Sequence, residues 1–152
     1  MSLTNRGKRI VILIADDDRE DREMTKEAFD ELRIINDLRF VNDGQDLMDY
    51  LTRTGEFADP AKSPTPDLIL LDLNMPRKDG REALDEIKSN PNLKTIPVVV
   101  LTTSKQEEDI MKSYNSGANS FVTKPVTFEG LLDAVKTFEK YWVEIVCLPT
   151  NN

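Results

Sequence analysis

Short aliphatic, β-branched runs recur along this chain without alternating between apolar and polar positions: IVILIA from Ile10, LILL from Leu68 and VVVL from Val98. A strand with one wet face reads apolar, polar, apolar. One that is apolar throughout is covered on both faces, the mark of a parallel sheet between two helical layers. Parallel neighbours also need a crossover, and the segments between the runs carry helical spacing, as in Met24, Ala28, Phe29 and Leu32. These runs confine the chain to an α/β class, a doubly wound five-stranded parallel sheet in a three-layer sandwich.

The elements follow in βα order, repeated five times. Strands are expected over 9–15, 35–41, 67–72, 96–101 and 119–123, and helices over 20–32, 44–53, 80–89, 105–115 and 128–142. At 152 residues and 39% apolar content, the chain suits one compact domain. Residues 54–66, with Gly55, Pro60, Pro64 and Pro66, read as an exposed loop within that domain. The organisation is therefore a tail at 1–8, a domain at 9–140 and an extension at 141–152. The extension is apolar, holding Tyr141, Trp142, Val143, Ile145, Val146 and Leu148. Leu131, Val135, Phe138, Trp142 and Ile145 share helical spacing. Because the sheet is already covered, Trp142 and Ile145 are expected to meet another surface.

Composition removes several functions. A net charge of −8 with no basic run argues against direct nucleic-acid binding and favours a basic protein partner. The chain has no histidine, which excludes Ser-His-Asp and Cys-His catalysis, His-ligated zinc and a phosphohistidine within it. Its single cysteine, Cys147, cannot form an internal disulfide, and no apolar run approaches the ~20 residues that insert in a membrane. With no convincing signal peptide, a cytoplasmic setting is expected.

Chemistry collects where the strands end. Asp16, Asp17 and Asp18 follow the first strand, Asp72 ends the third, and Thr102 and Lys124 follow the fourth and fifth. In a parallel sheet these ends share one edge, which is where open α/β sheets bind ligands. Carboxylates gathered there repel by ~4 kcal/mol per pair at about 4 Å and an effective dielectric of about 20, so a positive charge must join them. Mg2+, which takes oxygen ligands, is the natural candidate. Each residue also has a plainer reading: the aspartate triplet as a helix N-cap, Asp72 as a turn former ahead of Pro76, Thr102 as an ordinary strand residue and Lys124 as a surface lysine. Taken together they form a kit for a divalent cation and a phosphoryl group, with Asp72 able to attack phosphorus.

The segments IVILIADDDREDRE, LILLDLNMPRKDGRE, IPVVVLTTS and FVTKP, in that order and spacing, resemble the receiver domain of bacterial response regulators over nearly all of 9–140. The resemblance implies a flavodoxin-like (βα)5 fold and a signalling protein rather than an enzyme. It implies that Asp72 accepts a phosphoryl group from the histidine of a partner sensor kinase, and that Mg2+ is held by Asp17, Asp72 and the main-chain carbonyl of Asn74, with Asp16 acting through a water. Thr102 would hydrogen-bond the phosphoryl group, Lys124 would pair with its charge, and Phe121 would be the aromatic switch. The ending WVEIVCLP, the loop before the third strand and the DLNMPRKDGRE segment are similar to the small response regulators that serve bacterial phytochromes. That likeness implies a light-regulated histidine kinase as donor and a homodimer involving Tyr141, Trp142 and Ile145.

Three alternatives use the same fold or residues. An aspartate-nucleophile phosphatase of the haloacid dehalogenase type needs a second aspartate two residues after the first, where this chain has Asn74. A receiver-like docking module would need none of the site residues. A flavodoxin-like cofactor protein would need a phosphate-cradling loop after the first strand, which is missing.

Overall fold

The computed structural model describes residues 10–32, 36–75, 77–78, 80–113 and 120–141. Among these residues five strands and five helices alternate: β1 Ile10–Ala15, α1 Arg19–Glu31, β2 Asn36–Val41, α2 Gly44–Thr52, β3 Leu68–Asp72, α3 Gly80–Ser89, β4 Val98–Thr102, α4 Lys105–Ser113, β5 Ser120–Thr123 and α5 Phe128–Tyr141. A 3-10 turn, Gly55–Phe57, follows α2. The strands pair in parallel in the order β2-β1-β3-β4-β5.

The uninterrupted apolar runs divide between two cores. Ile10, Ile12 and Ile14 of β1 join Leu68, Leu70 and Val99 with Ala28 and Phe29 of α1 and Val135 of α5. Leu13 and Ala15 join Ile69, Leu71, Val98 and Val100 with Leu47 and Met48 of α2 and Ala83, Leu84 and Ile87 of α3. Both faces of the sheet are thus dry, and a fully buried aliphatic side chain on either contributes about 1.5–3 kcal/mol.

The strand order creates a switch point between β1 and β3, where the connections depart to opposite faces. Ala15 lies level with Leu71, and Asp72 with Leu101. The next step along the edge therefore sets Asp16 beside Asp72. Thr102 is level with Thr123, and the Lys124 amide donates to the Thr102 carbonyl at 2.7 Å.

Several expected boundaries move: α1 lies one residue earlier, at Arg19–Glu31, and β3 starts at Leu68. β4 starts at Val98, since Pro97 offers only its carbonyl, to the Ile69 amide at 3.0 Å; it runs on to Thr102 because Leu73 still bonds the Leu101 carbonyl at 2.9 Å. α2 stops at Thr52, where Arg53 turns left-handed (φ 56°). Residues 54–66 are not wholly exposed. Ser63 is buried, donating its hydroxyl to the Phe57 carbonyl at 2.8 Å; the Tyr50 hydroxyl donates to the Pro64 carbonyl at 2.8 Å, and Tyr50 packs on Phe57 with ring centroids 5.4 Å apart. Composition marks the turns of this segment but not the side chains that fold it back onto α2.

Two glycines let the β3–α3 connection lie close to its neighbours. The Gly44 amide donates to the Lys78 carbonyl at 2.9 Å, and a Cβ on Gly44 would stand 2.0 Å from that oxygen. A Cβ on Gly80 would stand 2.6 Å from the Asp72 carbonyl oxygen. Gly44→Ala should therefore lower stability by about 1–3 kcal/mol in urea unfolding, since backbone must move to admit the methyl group. An unshifted midpoint would mean that this connection is loosely held.

Candidate functional site

At the carboxyl edge of the sheet, Asp16 and Asp72 are 3% and 5% exposed, while Asp17 faces solvent. The three carboxylates can bring one oxygen each within 4.8 Å of one another. Local backbone holds the two buried ones. Asp16 Oδ1 accepts from the Asp18 amide at 2.9 Å, and Asp72 Oδ1 accepts from the Asn74 amide at 3.1 Å. The plain reading of the triplet is also correct for one member, because Asp18 N-caps α1 by accepting from the Asp21 amide at 3.1 Å.

The positive charge that this cluster requires is Lys124. Its ammonium lies 2.9 Å from Asp72 Oδ2, 3.1 Å from Asp16 Oδ2 and 2.6 Å from Asp21 Oδ2. Burial favours the neutral amine, but the hydrogen bonds to Asp21 and Asp72 and the charges of Asp72 and Asp16 outweigh it, so the Lys124 pKa is raised and the group is charged. For Asp16 and Asp72 desolvation dominates and lifts both carboxyls above their ordinary value, with Lys124 pulling the other way.

An all-oxygen set of two buried carboxylates and one exposed carboxylate, with a single ammonium among them, fits a hard divalent cation held by Asp16, Asp17 and Asp72. Of the remaining expected residues, Thr102 stands at the same edge. Thr102 is buried, and its hydroxyl donates to the Ser104 carbonyl at 3.2 Å. Phe121 is half-buried against the core on the α2 and α3 side. Tyr141 ends the backbone of α5, and Trp142 and Ile145 lie outside the described residues.

Three features of the rim were not anticipated from sequence. Asp21, on the first turn of α1, is the nearest carboxylate to Lys124; its spacing from Asp18 reads as an ordinary cap position. Glu107 of α4 accepts from the Thr103 amide at 2.8 Å and from the Asn74 side-chain amide at 3.3 Å, joining the loops after β3 and β4. Arg77, left-handed at φ 62°, donates to Asp43 at 2.7 Å and to Asp46 at 2.9 Å, tying the β3–α3 connection to α2. Nothing in the local sequence pairs residues so distant along the chain.

A family model, the response regulator receiver domain, matches residues 12–136. Response regulator Rcp1 of Synechocystis sp. is 45% identical over 139 residues, spanning 91% of this chain and 92% of Rcp1. The crystal structure of the phosphorylated cyanobacterial phytochrome response regulator RcpA aligns with a TM-score of 0.79 at 43% identity, covering 90% of this chain and 95% of RcpA. The Mn2+-bound form of Rcp1 aligns with a TM-score of 0.77 at 44% identity, covering 92% of this chain and 99% of that one. Among the described residues, no helix is long and apolar enough to cross a membrane.

Proposed function

This chain belongs to the response regulator receiver family, and we propose that it is a phospho-accepting switch in which Asp72 takes a phosphoryl group from a phosphohistidine of a partner sensor kinase. The observation that carries this reading is the setting of Asp72: a buried carboxylate at the end of β3, 2.9 Å from an ammonium and grouped with Asp16 and Asp17. In the transfer, an Asp72 oxygen attacks phosphorus, the P–N bond to the donor imidazole breaks, its electron pair stays on that nitrogen, and a mixed anhydride forms on Asp72.

Asp17, Asp72 and the Asn74 carbonyl, with Asp16 through a water, would hold Mg2+, which offsets negative charge on the phosphoryl oxygens. Lys124 pairs with the charge that arrives, and Thr102 turns its hydroxyl from the Ser104 carbonyl toward the phosphoryl group; Phe121 follows that movement of the β4 end. Asn74 occupies the position where a phosphatase needs a proton-transfer group, and its amide cannot serve. The pocket therefore keeps its phosphoryl group rather than turning over phosphate esters.

The phosphorylated phytochrome response regulator RcpA and the Mn2+-bound form of Rcp1 support a phytochrome-type histidine kinase as donor and a divalent cation at the acidic cluster. Incubation with acetyl phosphate and Mg2+ should add one phosphoryl group, labile to hydroxylamine and mapped to the Asp72 peptide. Phosphate found on Ser or Thr, or an unmodified chain, would overturn the reading. The proposal includes a homodimer through the end of α5, with Tyr141, Trp142 and Ile145 as contacts. Removal of residues 142–152 should then give a monomer by light scattering, and a persistent dimer would put the interface elsewhere.

A further inference from the structure

Lys124 has three ammonium protons, and three carboxylates sit around it: Asp16 at 3.1 Å, Asp72 at 2.9 Å and Asp21 at 2.6 Å. A fourth acceptor can therefore be served only if one of these is released or weakened. Asp16 and Asp72 belong to the acidic cluster, but Asp21 does not. It projects from the first turn of α1 and makes the shortest of the three contacts, and its side chain is 30% exposed against 4% and 7% for the other two. Asp21 thus ties the residue that follows β5 to α1.

We infer that Asp21 is a positioning residue, a tether that holds the Lys124 ammonium toward α1 and competes with a phosphoryl group on Asp72 for its protons. The inference rests on the phospho-acceptor reading of Asp72. An added phosphoryl group places its oxygens beyond the Asp72 carboxylate, so an ammonium held by Asp21 meets them with fewer free protons than an untethered one. Asp21 also adds its negative charge to those of Asp16, Asp17 and Asp72, which opposes a further anion.

Space for the movement is present. A cavity of about 30 Å³ lies between α1 and α5 directly beneath this contact, bordered by Asp21, Lys124, Met24, Thr25, Pro125 and Leu131. Its lining is chiefly apolar, so the butyl stem of Lys124 can shift into it without stranding a polar group. Loosening the tether would also relax α1 where it packs against α5. Phosphorylation would thereby reach a helix pair on the face of the sheet opposite α2 and α3.

Asp21→Asn should bind fluoroberyllate, a phosphoryl mimic, about three- to ten-fold more tightly than the parent at saturating Mg2+, as expected for loss of one partly exposed competing ion pair. Asp21→Glu should restore the parent affinity. In the Mg2+-free protein without any mimic, the Lys124 ammonium resonance should exchange faster with water in Asp21→Asn and return to protection in Asp21→Glu. Unchanged or weaker mimic binding, or unchanged ammonium exchange, would overturn the tether. The two readings fail separately. If the parent binds no fluoroberyllate at all, the acceptor role of Asp72 is lost, and ammonium exchange alone then decides whether Asp21 holds Lys124.

Discussion

Asp72→Asn is expected to fold normally and to take up no phosphoryl group from acetyl phosphate or from any kinase that labels the parent. Asp72 Oδ1 accepts from the Asn74 amide at 3.1 Å and Oδ2 from Lys124 at 2.9 Å; an asparagine has one oxygen and so keeps one of these two contacts. Its amide cannot attack phosphorus as a carboxylate does, because the oxygen carries no full negative charge and the nitrogen lone pair is delocalised into the carbonyl. Stability should move by no more than about 1 kcal/mol, because one buried charge and part of its repulsion with Asp16 leave together while Lys124 keeps Asp16 and Asp21. Divalent cation affinity should fall as well, with one of three carboxylates gone. Intact-mass measurement after acetyl phosphate treatment decides the matter; a phosphorylated variant would place the acceptor on another residue.

The parts of this molecule that the sequence carried most directly are those governed by local repetition. Non-alternating runs announced a parallel sheet covered on both faces, and the structure divides the same residues between two cores, Ile12 and Ile14 toward α1 and α5, Leu13 and Ala15 toward α2 and α3. The strand-end residues were legible for a related reason. A parallel sheet brings every carboxyl end to one edge, so order along the chain becomes proximity in space, and Asp16, Asp72 and Lys124 do meet. Contacts fixed only by the packing of one element on another were hidden. Asp21 reaches Lys124, Arg77 reaches Asp43 and Glu107 reaches Asn74 across 103, 34 and 33 positions. Each reads locally as a surface charge or a cap. The buried hydroxyl of Ser63 was missed for the same reason, since only the fold of 54–66 gives it the Phe57 carbonyl.

Removing the cation has the opposite effect from removing an acid. Lys124→Met leaves Asp16 and Asp72 buried beside one another, with Asp21 facing them and the ammonium that pairs with all three removed. Breaking a buried ion pair by deleting one partner costs about 3–5 kcal/mol, and the solvent-facing side of this site argues for the lower end, about 3 kcal/mol, in Mg2+-free buffer near neutral pH. The pH dependence follows from the two carboxyls. Burial lifts both above their ordinary 3.8, while Lys124 draws them down. Without Lys124 that upward push is opposed only by the Asp18 and Asn74 amides, so in the variant the folded chain holds these protons to a higher pH than the unfolded chain does. Falling pH through the window above 3.8 then favours the folded state, and the deficit of Lys124→Met should be largest at neutral pH and shrink under acid. Mg2+ should stabilise the variant more than the parent, because a cation held only by the folded carboxylates shifts the equilibrium by mass action and here replaces the lost charge. Urea unfolding at several pH values, with and without Mg2+, tests both arms. A deficit that grows on acidification, or that Mg2+ leaves untouched, would mean that Lys124 holds the β5–α5 connection by packing rather than by neutralising the acidic edge.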